Sequence, residues 1–435
     1  MSYTNKPLAR VMVVLALILG NTVSAVANAS EPGSETSPAW LERAVTPIDL
    51  ARRDPDLTVL DEALNGADII GLGESTHGQS EVFQAKDSII RHLVINQNAR
   101  QIIYEMSVGE GALLNQYVIG ERDDLAGLLS GLSLWMFQTE EFAEHLRWLR
   151  RYNDKGSEED RVTLHGMESQ YADRSAFFAL KIVDRIEPKK GQEFAERFGP
   201  ERIASPTSSA EDFVFLYSPI SDESYRAYLN LCLDLRLFIA EQDKSDSNPT
   251  TDLTRHTESI CQFVSMSLLD SSSAQAQLRD YVMAVNVAQI HSQSEGAKTV
   301  VWGHNQHIWE GVGNGGYDVL GKQLDRWFGE RYYAIGFDFG SGEYRAPSND
   351  GFLHSFTDPD PATLSGALLA LGKPDAFVEL QDFPHNGSPD YRSTYRVRAS
   401  AGGYAARDEY ADIDVVHNYD ALIYLAKTSA SKPLL

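Results

Sequence analysis

Short apolar segments alternate along this chain with longer amphipathic segments, and this alternation constrains the fold more than any other feature. Residues 68–72 form an apolar run that predicts a buried strand, and residues 81–95 follow with apolar side chains at helical spacing. Further strands are predicted at 100–104, 162–167, 298–302, 332–337, 376–380 and 422–425. Strands that alternate with helices favour a parallel sheet covered on both faces. We therefore expect an α/β fold with a mostly parallel central sheet flanked by helices.

The middle of the chain has a different pattern. Helical spacing is found at 175–183, at 225–241 and across most of 253–290, and no convincing strand interrupts these segments. We predict that residues 176–290 form an inserted helical subdomain that shapes the pocket. The α/β catalytic core is then built from residues 40–175 and 291–430.

The first 29 residues have the three parts of a secretory signal peptide. Lys6 and Arg10 make a basic start, residues 11–19 are apolar, and Ala27-Asn28-Ala29 is a small-residue cleavage site. The apolar run is shorter than the roughly 20 residues that a membrane span needs. We expect cleavage near Ala29, a periplasmic or secreted mature protein, and no membrane attachment after cleavage.

Charge and cysteine content limit the partners and the chemistry further. The formal net charge is −24, and loss of Lys6 and Arg10 with the leader makes the mature chain more acidic still. Such a protein repels nucleic acid and anionic lipid. The two cysteines, Cys232 and Cys261, fit either a disulfide in an exported protein or two buried thiols, and the sequence leaves both open. The sequence does not determine the oligomeric state.

Ionisable side chains follow the ends of several predicted strands. Four strands are followed in turn by Glu74 and His77, by Glu105, by Glu168, and by His304 and His307. In open α/β sheets, ligands bind in the crevice beyond the carboxyl ends of the strands. Each residue also has a structural explanation, such as a helix cap for Glu74 or a solvated loop for Glu168. Taken together, the residues favour a catalytic cluster at one edge of the sheet.

Absent motifs narrow the reaction. The sequence contains no Gly-x-Ser-x-Gly elbow, no phosphate-binding loop with Lys-Ser/Thr, and no His-Glu-x-x-His helix. Because no activated nucleophile is evident, the simplest scheme is direct attack by water on a carbonyl, with histidine as the base.

The ordered set of motifs resembles the erythromycin esterase family. The resemblance runs from about residue 57 to the C-terminus through the segments at 73–78, 104–105, 148–153, 279–286, 301–307 and 332–338. It implies hydrolysis of an ester, with macrolide lactone opening as the best-known activity. The family usually has an aspartate where this chain has Glu168, and an aromatic residue where it has His165.

The resemblance also implies roles for individual residues. His77 would activate water, and Glu74 and Glu105 would orient the imidazole or balance its charge. The remaining site residues would polarise the carbonyl and stabilise the oxyanion; they are Arg279, His304 and His307. No cofactor is expected, and the partner would be a small-molecule ester or lactone.

Two other functions fit the same residues. Histidines and carboxylates are good zinc or manganese ligands, so a metal-dependent hydrolase in the same cleft stays open. A non-catalytic protein that binds envelope polysaccharide, or acts in its biosynthesis, would use Trp135, Trp148 and Trp302 to stack on sugars. We expect these three tryptophans to pack in the core instead.

Overall fold

The computed structural model describes residues 43–50, 55–203, 208, 213–242, 251–313, 316–348, 351–356, 364–380, 396–398, 410–412 and 415–434. The predicted signal peptide at 1–29 lies outside these ranges. Within them, no helix combines the length and apolar character required to cross a membrane.

The structure is built on one large sheet. Its strands are β1 (Val45–Pro47), β2 (Ile69–Leu72), β3 (Ala99–Ser107), β4 (Thr163–Glu168), β5 (Lys298–Trp302), β6 (Tyr332–Ser348), β7 (Gly351–Phe356), β8 (Ala376–Glu379) and β11 (Ala421–Thr428). The order is β1-β8-β11-β6-β2-β5-β3-β4, with β7 paired to β6. Strands β11, β6, β2, β5, β3 and β4 run parallel, whereas β1, β7 and β8 pair antiparallel with their neighbours. The expected mostly parallel α/β fold is confirmed.

Helices cover the sheet and fill the segment between β4 and β5. They are α1 (Val59–Ala63), α2 (Ser80–Asn96), α3 (Val108–Val118), α4 (Leu125–Ser130), α5 (Glu140–Asn153), α6 (Asp173–Ile186), α7 (Pro188–Phe198), α8 (Asp222–Gln242), α9 (Thr251–Ser267), α10 (Ser272–His291), α11 (Asn305–Ile308), α12 (Leu320–Phe328), α13 (Leu364–Ala370) and α14 (Val415–Asn418). Two short strands, β9 (Arg396–Arg398) and β10 (Tyr410–Asp412), form a separate antiparallel pair.

The middle residues of the central strands are apolar because both faces of the sheet are covered. One face of the core contains Ile70, Ile102 and Val300, and the other contains Ile69, Ile103 and Val301. This arrangement explains why the predicted strands read as continuous apolar runs. Strand β6 extends beyond its predicted end at residue 337, because its second half leaves the covered sheet and pairs with β7.

The strand register sets the position of the site. Leu72 of β2 and Tyr104 of β3 both lie opposite Trp302 of β5, and Ser107 lies opposite Glu168 of β4. The carboxyl ends of these four strands are therefore level. The residues that follow them in sequence emerge at one edge.

The segment between β4 and β5 contains helices and no strand in its described residues. It has its own apolar cluster, to which Leu180, Leu235 and Phe263 belong. Its limits as a separate subdomain stay a prediction. The disulfide alternative holds, since Cys232 of α8 is bonded to Cys261 of α9 with the Cα atoms 5.3 Å apart.

Candidate active site

The loop after β2 carries the first two site residues, and glycines let it pack tightly. A side chain at Gly73 would collide with the side-chain oxygen of Asn305. A side chain at Gly78 would collide with the backbone of Arg345, whose N–H donates to the Gly78 carbonyl oxygen at 2.9 Å. The loop therefore lies pressed between β6 and the start of α11, which holds Glu74 and His77 in place.

Glu74 is the centre of a buried hydrogen-bonded group. It is 2 % exposed, and its Oε1 contacts Nδ1 of His77. Its Oε2 accepts hydrogen bonds from Nζ of Lys86 at 2.7 Å and from Nε1 of Trp302 at 3.1 Å. Burial raises the pKa of Glu74, but the charge of Lys86 and the bond to His77 outweigh burial and bring it to about 2. Glu74 is therefore an anion at neutral pH.

The two histidines have complementary free nitrogens. Because Nδ1 of His77 donates to Glu74, Nε2 of His77 presents a lone pair. Nδ1 of His304 accepts from the Gln306 N–H at 3.2 Å, so the proton of neutral His304 sits on Nε2. That buried Nε2 has no hydrogen-bond partner within the described part of the chain, and the two ring centres are 5.1 Å apart. Burial, reinforced by His77, lowers the pKa of His304 to about 3, so this ring is neutral at physiological pH.

Glu105 joins the histidine loop after β5 to helix α10. Its Oε2 accepts from the main-chain N–H of His304 at 2.7 Å, and its Oε1 accepts from Nη2 of Arg279 at 2.8 Å. Its Oε1 also lies 3.2 Å from Nε2 of His307. Burial opposes ionisation of Glu105, yet His307 and Arg279 hold its pKa well below the ordinary value.

His307 is a cation in this environment. Its Nδ1 donates to Oδ1 of Asp280 at 2.7 Å, and its Nε2 faces Glu105. Burial lowers the pKa of His307, but Asp280 and Glu105 more than compensate and raise it to about 9. Asp280 also accepts from the Leu320 N–H at 3.2 Å, which ties the site to the start of α12.

Glu168 closes the far side of the network. It is 1 % exposed, is paired with Nη2 of Arg279, and accepts from the side chain of Gln170. The alternative in which Glu168 is a solvated loop residue is therefore wrong. The network as a whole contains four carboxylates and three cationic side chains, so it carries an excess of one negative charge.

The structure brings the six predicted site residues into one connected cluster, and it adds two that sequence reasoning missed. The six are Glu74, His77, Glu105, Arg279, His304 and His307. Lys86 and Asp280 were missed, although Lys86 stands four residues after Val82 on the apolar face of α2, where a lysine is unusual. Arg279 and His307 both have donors directed to carboxylates, so their contribution to an oxyanion site stays a prediction.

The three tryptophans lie in the core or against it. Trp302 is fully buried, and Trp135 and Trp148 pack partly buried against the same core, as expected.

Among the described residues, no group of three or more His, Cys, Asp or Glu side chains has an arrangement that could hold a metal ion. The guanidinium of Arg279 pairs with both Glu105 and Glu168, so a cation of the protein already serves these two carboxylates.

The chain matches a protein family and resembles several known proteins. A family model described as erythromycin esterase matches residues 95–428. The YbfO protein of Bacillus subtilis (strain 168), provisionally named a hydrolase, is 22% identical over 90% of this chain and 91% of its own length.

Solved structures share the fold at low identity. A Bacillus cereus protein has a TM-score of 0.76 at 22% identity, covering 91% of this chain and 98% of that chain. A protein titled succinoglycan biosynthesis protein has a TM-score of 0.74 at 20% identity, covering 90% of this chain and 97% of that chain. A variant of erythromycin esterase EreC in its open conformation has a TM-score of 0.62 at 16% identity, covering 87% of this chain and 94% of that chain.

Proposed function

The chain belongs to the erythromycin esterase family, and we propose that it is an exported hydrolase in which His77 activates water for attack on an ester or lactone carbonyl. One observation carries the proposal: His77 Nε2 offers a lone pair and His304 Nε2 offers a proton across a 5.1 Å separation of ring centres. A base and a donor on neighbouring rings can divide the chemistry, with the base acting on a water and the donor on a carbonyl oxygen.

The chemical step begins when the water oxygen bonds to the carbonyl carbon and its proton passes to Nε2 of His77. The carboxylate of Glu74 stabilises the resulting imidazolium through Nδ1. Collapse of the tetrahedral intermediate then breaks the bond to the alcohol oxygen. The proton on His77 Nε2 passes to that oxygen, which regenerates the neutral base and releases an acid and an alcohol.

Charge on the carbonyl oxygen develops during this step. The Nε2–H of His304 is a buried donor beside His77 that has no hydrogen-bond partner in the described part of the chain. Its low pKa keeps the ring neutral, so it donates a hydrogen bond without first carrying a charge. A donor of this kind typically contributes about 10²–10³-fold in rate.

The ion pairs around Arg279 hold this donor in place. Glu105 fixes the backbone of His304 at 2.7 Å, while Arg279 and His307 neutralise Glu105. We propose that Arg279 and His307 act mainly through this carboxylate. A buried carboxylate without those cations would move or take up a proton.

Hydrolysis of a substrate panel tests the proposal. The purified mature protein is incubated with 14- and 16-membered macrolides and with simple aryl and alkyl esters, and the products are followed by mass spectrometry. His77→Ala is expected to lose about 10²–10⁴-fold in kcat/KM on any ester that is cleaved. His92→Ala is the matched control, because His92 also pairs with a carboxylate (Asp61, 2.7 Å) but lies on α2 away from the cluster.

The outcomes separate the competing functions. Full turnover by His77→Ala would remove the proposed base. Activity that disappears on treatment with a chelator and returns with zinc or manganese would favour the metal-dependent hydrolase. A protein that binds ligands but cleaves no ester in the panel would favour a non-catalytic role in polysaccharide metabolism.

A further inference from the structure

A row of aromatic side chains adjoins the site and has no role in the proposed chemistry. Tyr171 follows β4, and Phe213, Phe215 and Tyr217 alternate along the segment before α8. Leu216, between the last two, is 2% exposed and packs into the helical core, whereas the four aromatic side chains are half-buried. We call Tyr171, Phe213, Phe215 and Tyr217 the aromatic row.

Contacts between the rings make the row continuous. Tyr171 stacks on Phe215 with ring centres 5.1 Å apart and an interplanar angle of 25°. Tyr171 also meets Phe213 edge-on at 6.4 Å, and Phe215 meets Tyr217 edge-on at 5.4 Å. Such pairs hold each ring in a fixed orientation, so the row is a preformed apolar surface.

Gln170 connects the row to the catalytic network. Its side chain donates to Glu168, and its carbonyl oxygen accepts from the Leu216 N–H at 3.0 Å. Tyr171 is the next residue in sequence. The row therefore begins directly beside the Glu168 and Arg279 side of the site.

The charge of Asp280, which belongs to the catalytic network, acts on Tyr217 at one end of the row. Burial raises the pKa of the Tyr217 phenol, and the negative charge of Asp280 raises it further. Tyr317, on the segment before α12, has its pKa raised to about 12 by burial and by the same Asp280.

The chemistry of this surface selects its ligand. The four rings offer apolar surface, and the phenols of Tyr171 and Tyr217 add hydroxyl groups, which suits a saturated ring with one apolar face and several hydroxyls. The network beside it has one more carboxylate than cation, so an anionic ligand is repelled.

We infer that the aromatic row is the subsite for the alcohol part of the substrate, and that this part is a neutral pyranose ring, so that the substrate is an O-acylated sugar. The inference rests on the proposed hydrolase function for its reaction, but not for the binding of the ring. The acyl carbonyl then lies beside His77 and His304 while the sugar lies along the row.

Paired substrates and variants test this subsite. Methyl 6-O-acetyl-glucopyranoside supplies the ring, and ethyl acetate supplies the same acyl group without it. Tyr217→Ala is expected to raise KM for the acetylated sugar about tenfold, with kcat/KM for ethyl acetate changed less than about twofold. Tyr217→Phe should restore most of the sugar affinity, because it keeps the ring. Tyr281→Ala is the control, since Tyr281 is a 46% exposed tyrosine on α10 that pairs with Trp327 instead.

Binding without turnover separates the two proposals. The His77→Ala protein is titrated with the acetylated sugar by ligand-observed NMR, with and without Tyr217→Ala. Binding that depends on Tyr217, in an enzyme that cleaves no ester, would support the subsite and overturn the hydrolase. Ester cleavage in which Tyr217→Ala affects both substrates equally, or neither, would overturn the subsite and leave the hydrolase standing.

A second variant tests whether a loss of sugar binding is caused by misfolding. Tyr171→Leu keeps an apolar side chain in the middle of the row, between Phe213 and Phe215, and its thermal midpoint is measured beside that of Tyr217→Ala. Selective loss of sugar binding in a variant that folds normally supports the subsite. If both variants fold normally and bind the sugar as tightly as the parent protein, the subsite is wrong.

Discussion

Replacing Lys86 by methionine tests how the buried carboxylate beside the proposed base is held. Lys86 is fully buried on α2, and its ammonium contacts Glu74 Oε2 at 2.7 Å and the Gly303 carbonyl oxygen at 3.3 Å. It also lies 4.7 Å from the centre of the Trp302 ring. Methionine has nearly the same length, so the substitution removes the charge and leaves little empty space.

The magnitude follows from the two opposing pKa shifts. Burial lowers the pKa of Lys86 from 10.5 to about 8, which corresponds to a cost of about 3 kcal/mol. The net lowering of the pKa of Glu74 from 4.5 to about 2 corresponds to a gain of similar size, about 3 kcal/mol. Each shift already contains the attraction between Glu74 and Lys86, so the two are not summed, and the pair offsets the burial of its own charges. Removing Lys86 alone leaves an uncompensated buried anion, which costs about 3–5 kcal/mol.

Urea unfolding at pH 7 measures this cost. Lys86→Met should lower the free energy of unfolding by about 3–5 kcal/mol, and the double variant Lys86→Met with Glu74→Gln should recover most of the loss. Lys322→Met is the matched control, because Lys322 pairs with Asp325 at 3.0 Å where both side chains are about one-third exposed. That change should cost less than about 1 kcal/mol.

One result would refute this reasoning. If Lys86→Met unfolds within about 1 kcal/mol of the parent protein while Glu74→Gln in the same background changes nothing, the pair is not a buried, mutually compensating unit.

Three further predictions follow from the same structure. The pKa of His307 is raised from 6.5 to about 9, so its stabilising effect is fully present below pH 6.5 and is lost as pH rises through 9. The unfolding free energies of the parent protein and of His307→Gln should therefore differ by up to about 3 kcal/mol more at pH 6 than above pH 9. A difference that stays constant with pH would contradict this prediction. Replacing Cys232 and Cys261 by serine should cost about 3–4 kcal/mol in the same unfolding assay; an unchanged urea midpoint would argue against the disulfide. Gly78→Ala should lower the thermal midpoint markedly, because the new side chain would collide with the backbone of Arg345. Gly66→Ala is the control, since nothing lies within 4 Å of a side chain added there. Equal midpoints for the two variants would show that the loop adapts.

The architecture was largely predictable because burial leaves a local record in the sequence. Strand β2 is covered on both faces and reads as an unbroken apolar run, and β5 ends in the apolar run Val300-Val301-Trp302. Helix α2 is covered on one face, so its apolar residues recur at helical spacing. Short or exposed strands leave a weaker record. Strand β1 has three residues and the far half of β6 is only partly buried, and neither was predicted.

The site, like the fold, was predictable only in part. Its residues could be named from the sequence because each follows the end of a predicted strand or belongs to a family motif. Their partners could not be named. Glu105 binds the backbone of His304, which is 199 positions away, and Arg279 reaches Glu105 across 174 positions.

The sequence alone determined which side chains stand at the strand ends and which segments must be buried. Only the tertiary structure decided that Lys86 neutralises Glu74, that Asp280 keeps His307 protonated, and that the rings of His77 and His304 lie next to each other. The physical reason is that apolar periodicity reports the burial of each residue separately. The protonation state of a buried group depends on the few charges within several ångströms of it, and those come from distant parts of the chain.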